Sequence, residues 1–129
     1  MTRRRFGPAL VIICLVLLSG PLAQEGHPLV GTWRGTWGPS PADRHNVTLV
    51  LQWDGKMITG VIDPGPNAIR FEKVTLEPGR WAVRFEAAPK NESPIVIEAT
   101  IQDVTNRRRS LVGTWVQGSM KGDLKIFRD

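Results

Sequence analysis

The chain has 129 residues, of which 41% are hydrophobic and 22% are charged, and its formal net charge is +5. Arginines at 3–5 precede an unbroken apolar run at 9–18, which is too short for a membrane-spanning helix of about 20 residues. This order predicts a secretory signal peptide over 1–23 with cleavage after Ala23. It therefore predicts a secreted or periplasmic protein with no stable membrane span after cleavage.

Removal of the predicted signal changes what the charge implies. It takes away three of the 17 basic residues and the only cysteine, Cys14, and leaves fourteen basic residues against twelve acidic ones. A balance this close to neutral argues against nucleic acid as the partner. The chain from 24 to 129 is long enough to form one hydrophobic core. Because it contains no cysteine, that core must be stable without disulfide bonds. We divide it into a lead-in at 24–29, expected to be unstructured, and a single domain at 30–129.

Apolar and polar residues alternate along this domain, and turn residues interrupt the alternation about every 10 to 15 residues, as they do between β-strands. Asp54 and Gly55 form the strongest signal for a tight hairpin turn. In the fourth strand the alternation slips once between Phe71 and Val74, which predicts a β-bulge. The pattern predicts eight strands, at 30–37, 46–53, 56–62, 68–76, 80–87, 94–102, 110–117 and 121–128.

Eight sequential strands with short connections predict an all-β, antiparallel up-and-down meander. An open meander would leave two strand edges free for pairing, whereas closing it into a small eight-stranded barrel removes both. The barrel requires the eighth strand to pair with the first. A partly open barrel or a two-sheet β-sandwich is the alternative.

The tryptophans follow a repeated pattern, since GTWRGTW occupies 31–37 and a third GTW occupies 113–115. We call the end where the first strand begins the lower end. Alternating strand directions then place Trp37 near the upper end. We expect the glycines at 31, 35 and 113 to leave room beside the indoles and to ease the bends that barrel closure demands. We expect the other four indoles to pack as core in the lower half: Trp33, Trp53, Trp81 and Trp115.

A GTW that opens the first strand of a small secreted barrel resembles the calycins, the group that contains lipocalins, fatty-acid-binding proteins and avidins. The segment GKMITGVI at 55–62 is similar to the third-strand hairpin of avidin-like proteins. In calycins the first-strand tryptophan packs at the closed end against an arginine near the C-terminus. The resemblance therefore implies a structural pair between Trp33 and Arg128, with the guanidinium over the indole. It implies no ligand, because the chain has no tyrosine to match the ligand contacts of those families.

Residues for classical catalysis are few. The domain has no cysteine nucleophile, and it lacks the G-x-S-x-G and H-E-x-x-H motifs of hydrolases and metalloproteases. His27 and His45 lie in separate segments and do not form a pattern of metal ligands. We predict a protein that is not an enzyme and has no metal or cofactor.

A barrel binds ligands at its mouth, where loops vary over a fixed scaffold. The loops predicted at the upper end carry polar residues that could surround a small apolar or amphipathic ligand above Trp37: Arg44, His45, Asn67, Lys90 and Asn91. The alternative is an envelope or protein-interaction module with a packed interior. An enclosed cavity of about 300 Å³ or more would favour the small-ligand protein.

Overall fold

The computed structural model of the protein describes residues 27–105 and 108–129, so the predicted signal peptide at 1–23 lies outside the described residues. The described residues form eight β-strands and no helix. Every predicted strand is present, with ends within three residues of the prediction. The strands are β1 (Gly31–Ser40), β2 (Asp43–Trp53), β3 (Ile58–Ile62), β4 (Ile69–Glu77), β5 (Ala82–Ala87), β6 (Ile95–Gln102), β7 (Ser110–Gln117) and β8 (Met120–Arg128).

The meander closes on itself. Each strand pairs antiparallel with the next, and the barrel is completed by β8 against β1, from Trp33 opposite Arg128 to Gly38 opposite Asp123. The all-β closed barrel is therefore confirmed over the open sandwich. This architecture is consistent with a calycin-like fold.

Turn and bulge chemistry place the strands in register. The carboxylate of Asp54 accepts hydrogen bonds from the backbone N–H groups of Lys56 and Met57, at 2.8 and 2.9 Å, which holds the turn between β2 and β3. In β4 the pairing with β5 shifts between Phe71 and Lys73, so the predicted bulge is confirmed. These local features keep the apolar side of each strand facing inward.

The interior of the barrel is filled by apolar side chains from every strand except β4, whose apolar residues are only partly buried. Its largest fully buried members are Trp33, Phe85, Leu29, Leu49, Leu51 and Ile62. Such a core leaves the two ends and the outer wall as the surfaces on which a partner can bind.

Two inward-facing glycines lie directly against the backbone of a neighbouring strand. A Cβ atom at Gly35 would overlap the carbonyl oxygen of Lys125, and one at Gly113 would overlap that of Glu98. These glycines therefore make room for the backbone of the neighbouring strand, and not only for an indole. Close approach of this kind permits the strong bending that a small barrel requires.

The lower end is sealed by the lead-in. Leu29 is completely buried, and its carbonyl accepts the indole N–H of the equally buried Trp33 at 2.9 Å. Arg109 fixes the segment by donating to the carbonyls of Pro28 and Val104, at 3.1 and 2.7 Å. Burial, and then the charge of Arg128, lowers the pKa of Arg109. The lower end is thus a closed plug.

The expectation of an unstructured lead-in is wrong for residues 27–29. The ring of His27 stacks on Trp53 with 5.5 Å between ring centroids, and its Nδ1 accepts the backbone N–H of Leu29 at 3.2 Å. Burial lowers the pKa of His27, because the charged imidazolium loses solvation there. This docking is a tertiary contact and has no repeating sequence pattern.

The placement of two tryptophans in the lower core is also wrong. Trp115 lies near the upper end of β7, opposite Gly122, with its ring against Trp37. Trp81 precedes β5 in a turn, adopts a positive φ of 52° and is 37% exposed. The turn breaks the alternation that would have carried its side chain inward.

Candidate functional site

The upper end of the barrel is where β1 meets β2, β3 meets β4, β5 meets β6 and β7 meets β8. The first of these connections is shorter than predicted, because β1 and β2 continue until Ser40 pairs with Asp43. The loop predicted at 38–45 is therefore mostly strand. Its side chains are held on a rigid hairpin above the core, which favours a preformed site.

Two indoles meet at this end. The rings of Trp37 and Trp115 lie 5.6 Å apart between centroids, tilted by 51°. Trp115 is only 8% exposed, and its N–H donates to the backbone carbonyl of Asp123 at 3.1 Å. Trp37 is partly buried. A tilted pair of this kind is a favourable aromatic arrangement, and it presents apolar ring surface toward solvent.

These rings line a half-enclosed cavity of about 240 Å³, which we call the indole cavity. A designed apolar cavity of about 150 Å³ holds benzene, so this one has room for a substituted or fused ring. It is smaller than the roughly 300 Å³ that a drug-sized ligand requires, so the cavity size that would favour a small-ligand protein is not reached. Its remaining lining residues are Gly38, Pro39, Asp43, His45, Gln117 and Met120.

A second, open depression adjoins the indole cavity, and we call it the polar shelf. It measures about 690 Å³ and shares Gln117 and Met120 with the cavity. The amide of Gln117 donates to the carbonyl of Ser93 at 3.2 Å, which links the two upper loops on either side. Its other lining residues are Asn91, Glu92, Ser93, Gly118 and Ser119. The upper end thus joins an aromatic pocket to a hydrogen-bonding surface.

The structure brings together Trp37 and His45 of the predicted site. They are cross-strand partners on β1 and β2, and both line the indole cavity. The imidazole Nε2 of His45 lies 2.9 Å from the carboxylate of Asp43, and both side chains are more than half exposed. A contact that faces water this much contributes little to stability.

Arg44 lies elsewhere than predicted, because its side chain runs over the outside of β1. It pairs with the carboxylate of Asp123 and donates to the carbonyl and hydroxyl oxygens of Thr36, each at 3.2 Å. Arg44 does not line the indole cavity or the polar shelf. It ties β2 to β8 across the strand between them.

The remaining predicted contacts are dispersed. Asn91 lines the polar shelf with a positive φ of 63°, which its loop requires. Lys90 and Asn67 are exposed in their own loops, and neither lines one of the two depressions. The predicted rim of six residues is therefore reduced to Trp37, His45 and Asn91.

Several lining residues were missed from the sequence. Trp115 was detectable, because β7 runs upward and the sixth of its eight residues must lie near the mouth. Gln117 and Met120 flank the tight turn that follows and could have been found by the same reasoning. Nothing in the sequence indicated that Asp43 and Pro39 line the cavity, because their segment was predicted to be a loop.

The barrel-end pair at the lower end is joined through the sheet. Trp33 and Arg128 are cross-strand partners of β1 and β8. The guanidinium of Arg128 donates to the carbonyl of Val30 at 3.5 Å. Within the described part of the chain, the cation–π contacts fall on Phe127, from Arg108 and Lys125, and none falls on Trp33. The stacking implied by the resemblance is not formed.

A third depression lies on the outer wall and extends to the turn between β4 and β5 at the lower end, where Glu77 and Arg80 line it. It is a wide open groove of about 730 Å³ across β4 to β7. Small side chains line its centre, among them Ala82, Thr100 and Thr114. The charged pair Arg84 and Glu98, 2.6 Å apart, lies in it as well.

The comparisons with known proteins give no relative: no protein-family model, curated protein or solved structure matches the chain. Residues 27–105 and 108–129 contain no group of three or more His, Cys, Asp and Glu side chains that could hold a metal ion. Over the same ranges, there is no helix with the length and apolar character that crossing a membrane demands.

Proposed function

We propose that this barrel is an exported, non-enzymatic binding protein that holds a small apolar or amphipathic ligand in the indole cavity. The observation that carries this proposal is the pairing of Trp37 with Trp115 at the end that no segment of the described residues covers. Covering ring surface there gains about 25 cal/mol for each Å² removed from water. A preformed apolar wall beside a few polar groups is the usual composition of a small-molecule site.

The filled interior limits the size of the ligand. A calycin with a deep cavity encloses a long apolar molecule, whereas here the core beneath the two indoles is occupied by side chains such as Leu111 and Ile126. The cavity of about 240 Å³ accepts one ring system, or the ring-bearing end of a longer molecule that continues over the polar shelf. We therefore propose a calycin-like barrel that binds at its rim and not within its core.

Export is the second part of the proposal. It is supported by the basic residues at 3–5 and the apolar run at 9–18, which have the order of a secretory signal. Outside the cytoplasm a barrel meets small molecules from the surroundings. The loss of Cys14 with the signal leaves no thiol to be oxidised there.

Native mass spectrometry of the protein purified from its own host tests this function. We expect a species whose mass exceeds the polypeptide by that of a small molecule, and we expect Trp37→Ala to lose this added mass. The same spectrum reports the polypeptide mass, which should correspond to a chain that begins at Gln24. A bare chain in both the wild type and Trp37→Ala would contradict the binding proposal, and a chain retaining Met1 would contradict export.

A second candidate is a protein-interaction module that uses its outer wall. It is favoured by the filled core together with the groove of about 730 Å³ across β4 to β7. In the same experiment, this function predicts a retained protein subunit that is released by Thr100→Arg, which fills the groove. Retention unaffected by that substitution would exclude the groove as the contact.

A further inference from the structure

The lining of the upper end carries negatively charged carboxylates. The indole cavity contributes the carboxylate of Asp43, and the polar shelf contributes that of Glu92. Among the described residues that line these two depressions, none is a lysine or an arginine. The nearby base Arg44 is turned away toward Asp123 and Thr36. The site is therefore suited to a ligand that brings a positive charge and unsuited to an anion.

The two tryptophans favour the same charge. The face of an indole carries negative electrostatic potential, and a cation over it at an exposed site raises affinity about two- to fivefold. The N–H of Trp115 is already bonded to the carbonyl of Asp123, so this group is not free to donate to a ligand anion. The aromatic wall thus offers apolar and cation-attracting surface.

The histidine beside Asp43 does not cancel this preference. Both side chains of the His45–Asp43 pair are largely exposed, at 68% and 57%. A pair so open to water is weak, and its carboxylate stays accessible from the cavity. Glu92, on the other side of Gln117 and Met120, is exposed as well.

We propose that the ligand of the upper end is an organic cation, a ring or branched apolar group that carries an ammonium group. The apolar part occupies the indole cavity against Trp37 and Trp115. The ammonium group lies toward Asp43 or, in a longer ligand, over the polar shelf toward Glu92. This inference rests on the proposed function, because it specifies the chemistry of the same site.

A matched series of three probes tests the charge preference. 2-Phenylethylamine, 2-phenylethanol and 3-phenylpropionate share one ring and differ in the charge of the side chain. Each is titrated into the full exported protein by calorimetry at one pH and one ionic strength. We expect the amine to bind about five times more tightly than the alcohol, because an exposed cation–π contact and an exposed carboxylate each contribute roughly a factor of two. We expect the carboxylate to bind most weakly.

Substitutions test whether Asp43 and Glu92 produce the preference for the amine over the alcohol. Asp43→Asn and Glu92→Gln together should reduce the advantage of the amine over the alcohol from about fivefold to about twofold, the part that the cation–π contact with the indoles supplies. Glu72→Gln is the matched control, because it removes an exposed carboxylate of β4 that lines neither depression. It should leave all three affinities as they are.

The outcomes separate this inference from the proposed function. If the three probes bind equally, or the carboxylate binds most tightly, the inference is overturned while ring binding at the indole cavity stands. If no probe binds, or Trp37→Ala leaves every affinity unchanged, the proposed function fails and the inference fails with it. Loss of the amine advantage with Glu72→Gln as well would also overturn the inference, since the effect would then follow net charge.

Discussion

At the lower end of the barrel Trp33 is completely buried and donates its N–H to Leu29, whereas at the upper end Trp37 lies partly exposed beside Trp115. Both Trp33 and Trp37 follow a Gly-Thr pair, and both point inward from β1. They differ in what covers them. The lead-in crosses the lower end and Arg109 fixes it there, while the upper hairpins stand around a cavity of about 240 Å³.

The comparison teaches that one sequence unit can be buried as a plug at one end of the barrel and stay partly exposed at the other. Four residues along a strand raise the second tryptophan by about 13 Å, from one end of a small barrel to the other. Whether each indole is buried or partly exposed then depends on a segment outside the Gly-Thr-Trp motif. Segment 27–30 supplies the cover at one end, and the structure describes no such cover at the other.

The largest expected difference in stability between the two ends is measured by removing each indole in turn. Trp33→Ala leaves a cavity in the core and a Leu29 carbonyl without its donor, so we expect a loss of about 3 to 5 kcal/mol. Typical domains have about 5 to 15 kcal/mol in total, so this variant will be close to unfolding. Trp37→Ala should cost less than half as much, because water can enter its site. Urea unfolding of both variants measures the difference, and equal losses would mean that the two ends are one continuous core.

A second test concerns the bending that brings the two ends of the sheet together. Gly35→Ala places a methyl group on the carbonyl of Lys125 and must push β8 away from β1. We expect a loss of about 1 to 3 kcal/mol, the usual cost of overpacking. Gly79→Ala is the control, because a Cβ there meets no atom within 4 Å. Thermal melts that show no difference between these two variants would refute the close approach of β8 at Gly35.

The smallest expected effect is a pH dependence at the lower end. The pKa of His27 is lowered by burial in the folded chain, so between that value and about 6.5 the unfolded chain binds more protons. The contribution of His27 to stability is therefore complete above about pH 6.5 and is lost as the pH falls below it. Melting temperatures at pH 8 and 5.5 should differ more in the wild type than in His27→Phe, which keeps a ring on Trp53. The same pH difference in both proteins would show that His27 has no part in it.

Much of the fold could be predicted because its signals are local. Alternation within each strand and the turn at Asp54 and Gly55 depend on neighbouring residues alone, as does the bulge between Phe71 and Val74. The lead-in could not be predicted, because the contact of His27 with Trp53 is tertiary and has no period. Trp81 followed the alternation of β5 in sequence, yet a turn with positive φ carries it outward.

The candidate site was predictable only in part. Trp37 was placed near the mouth because it ends the predicted first strand, and His45 because it lies in the loop predicted at 38–45. Trp115 was placed too low, although its position in β7 was sufficient to place it correctly. Arg44 was predicted to lie in a loop, but it is part of β2. The geometry of that strand directs its side chain to the outer wall.

The central claim is that the upper indoles form a binding wall and the lower ones a plug. Each of the five tryptophans gives one indole N–H signal in a ¹H–¹⁵N correlation spectrum, so a single titration with 2-phenylethylamine reports on all of them. We expect the signals of Trp37 and Trp115 to shift progressively while those of Trp33, Trp53 and Trp81 stay in place. A spectrum in which Trp37 and Trp115 do not move, or in which Trp33 moves as far as they do, would contradict the account.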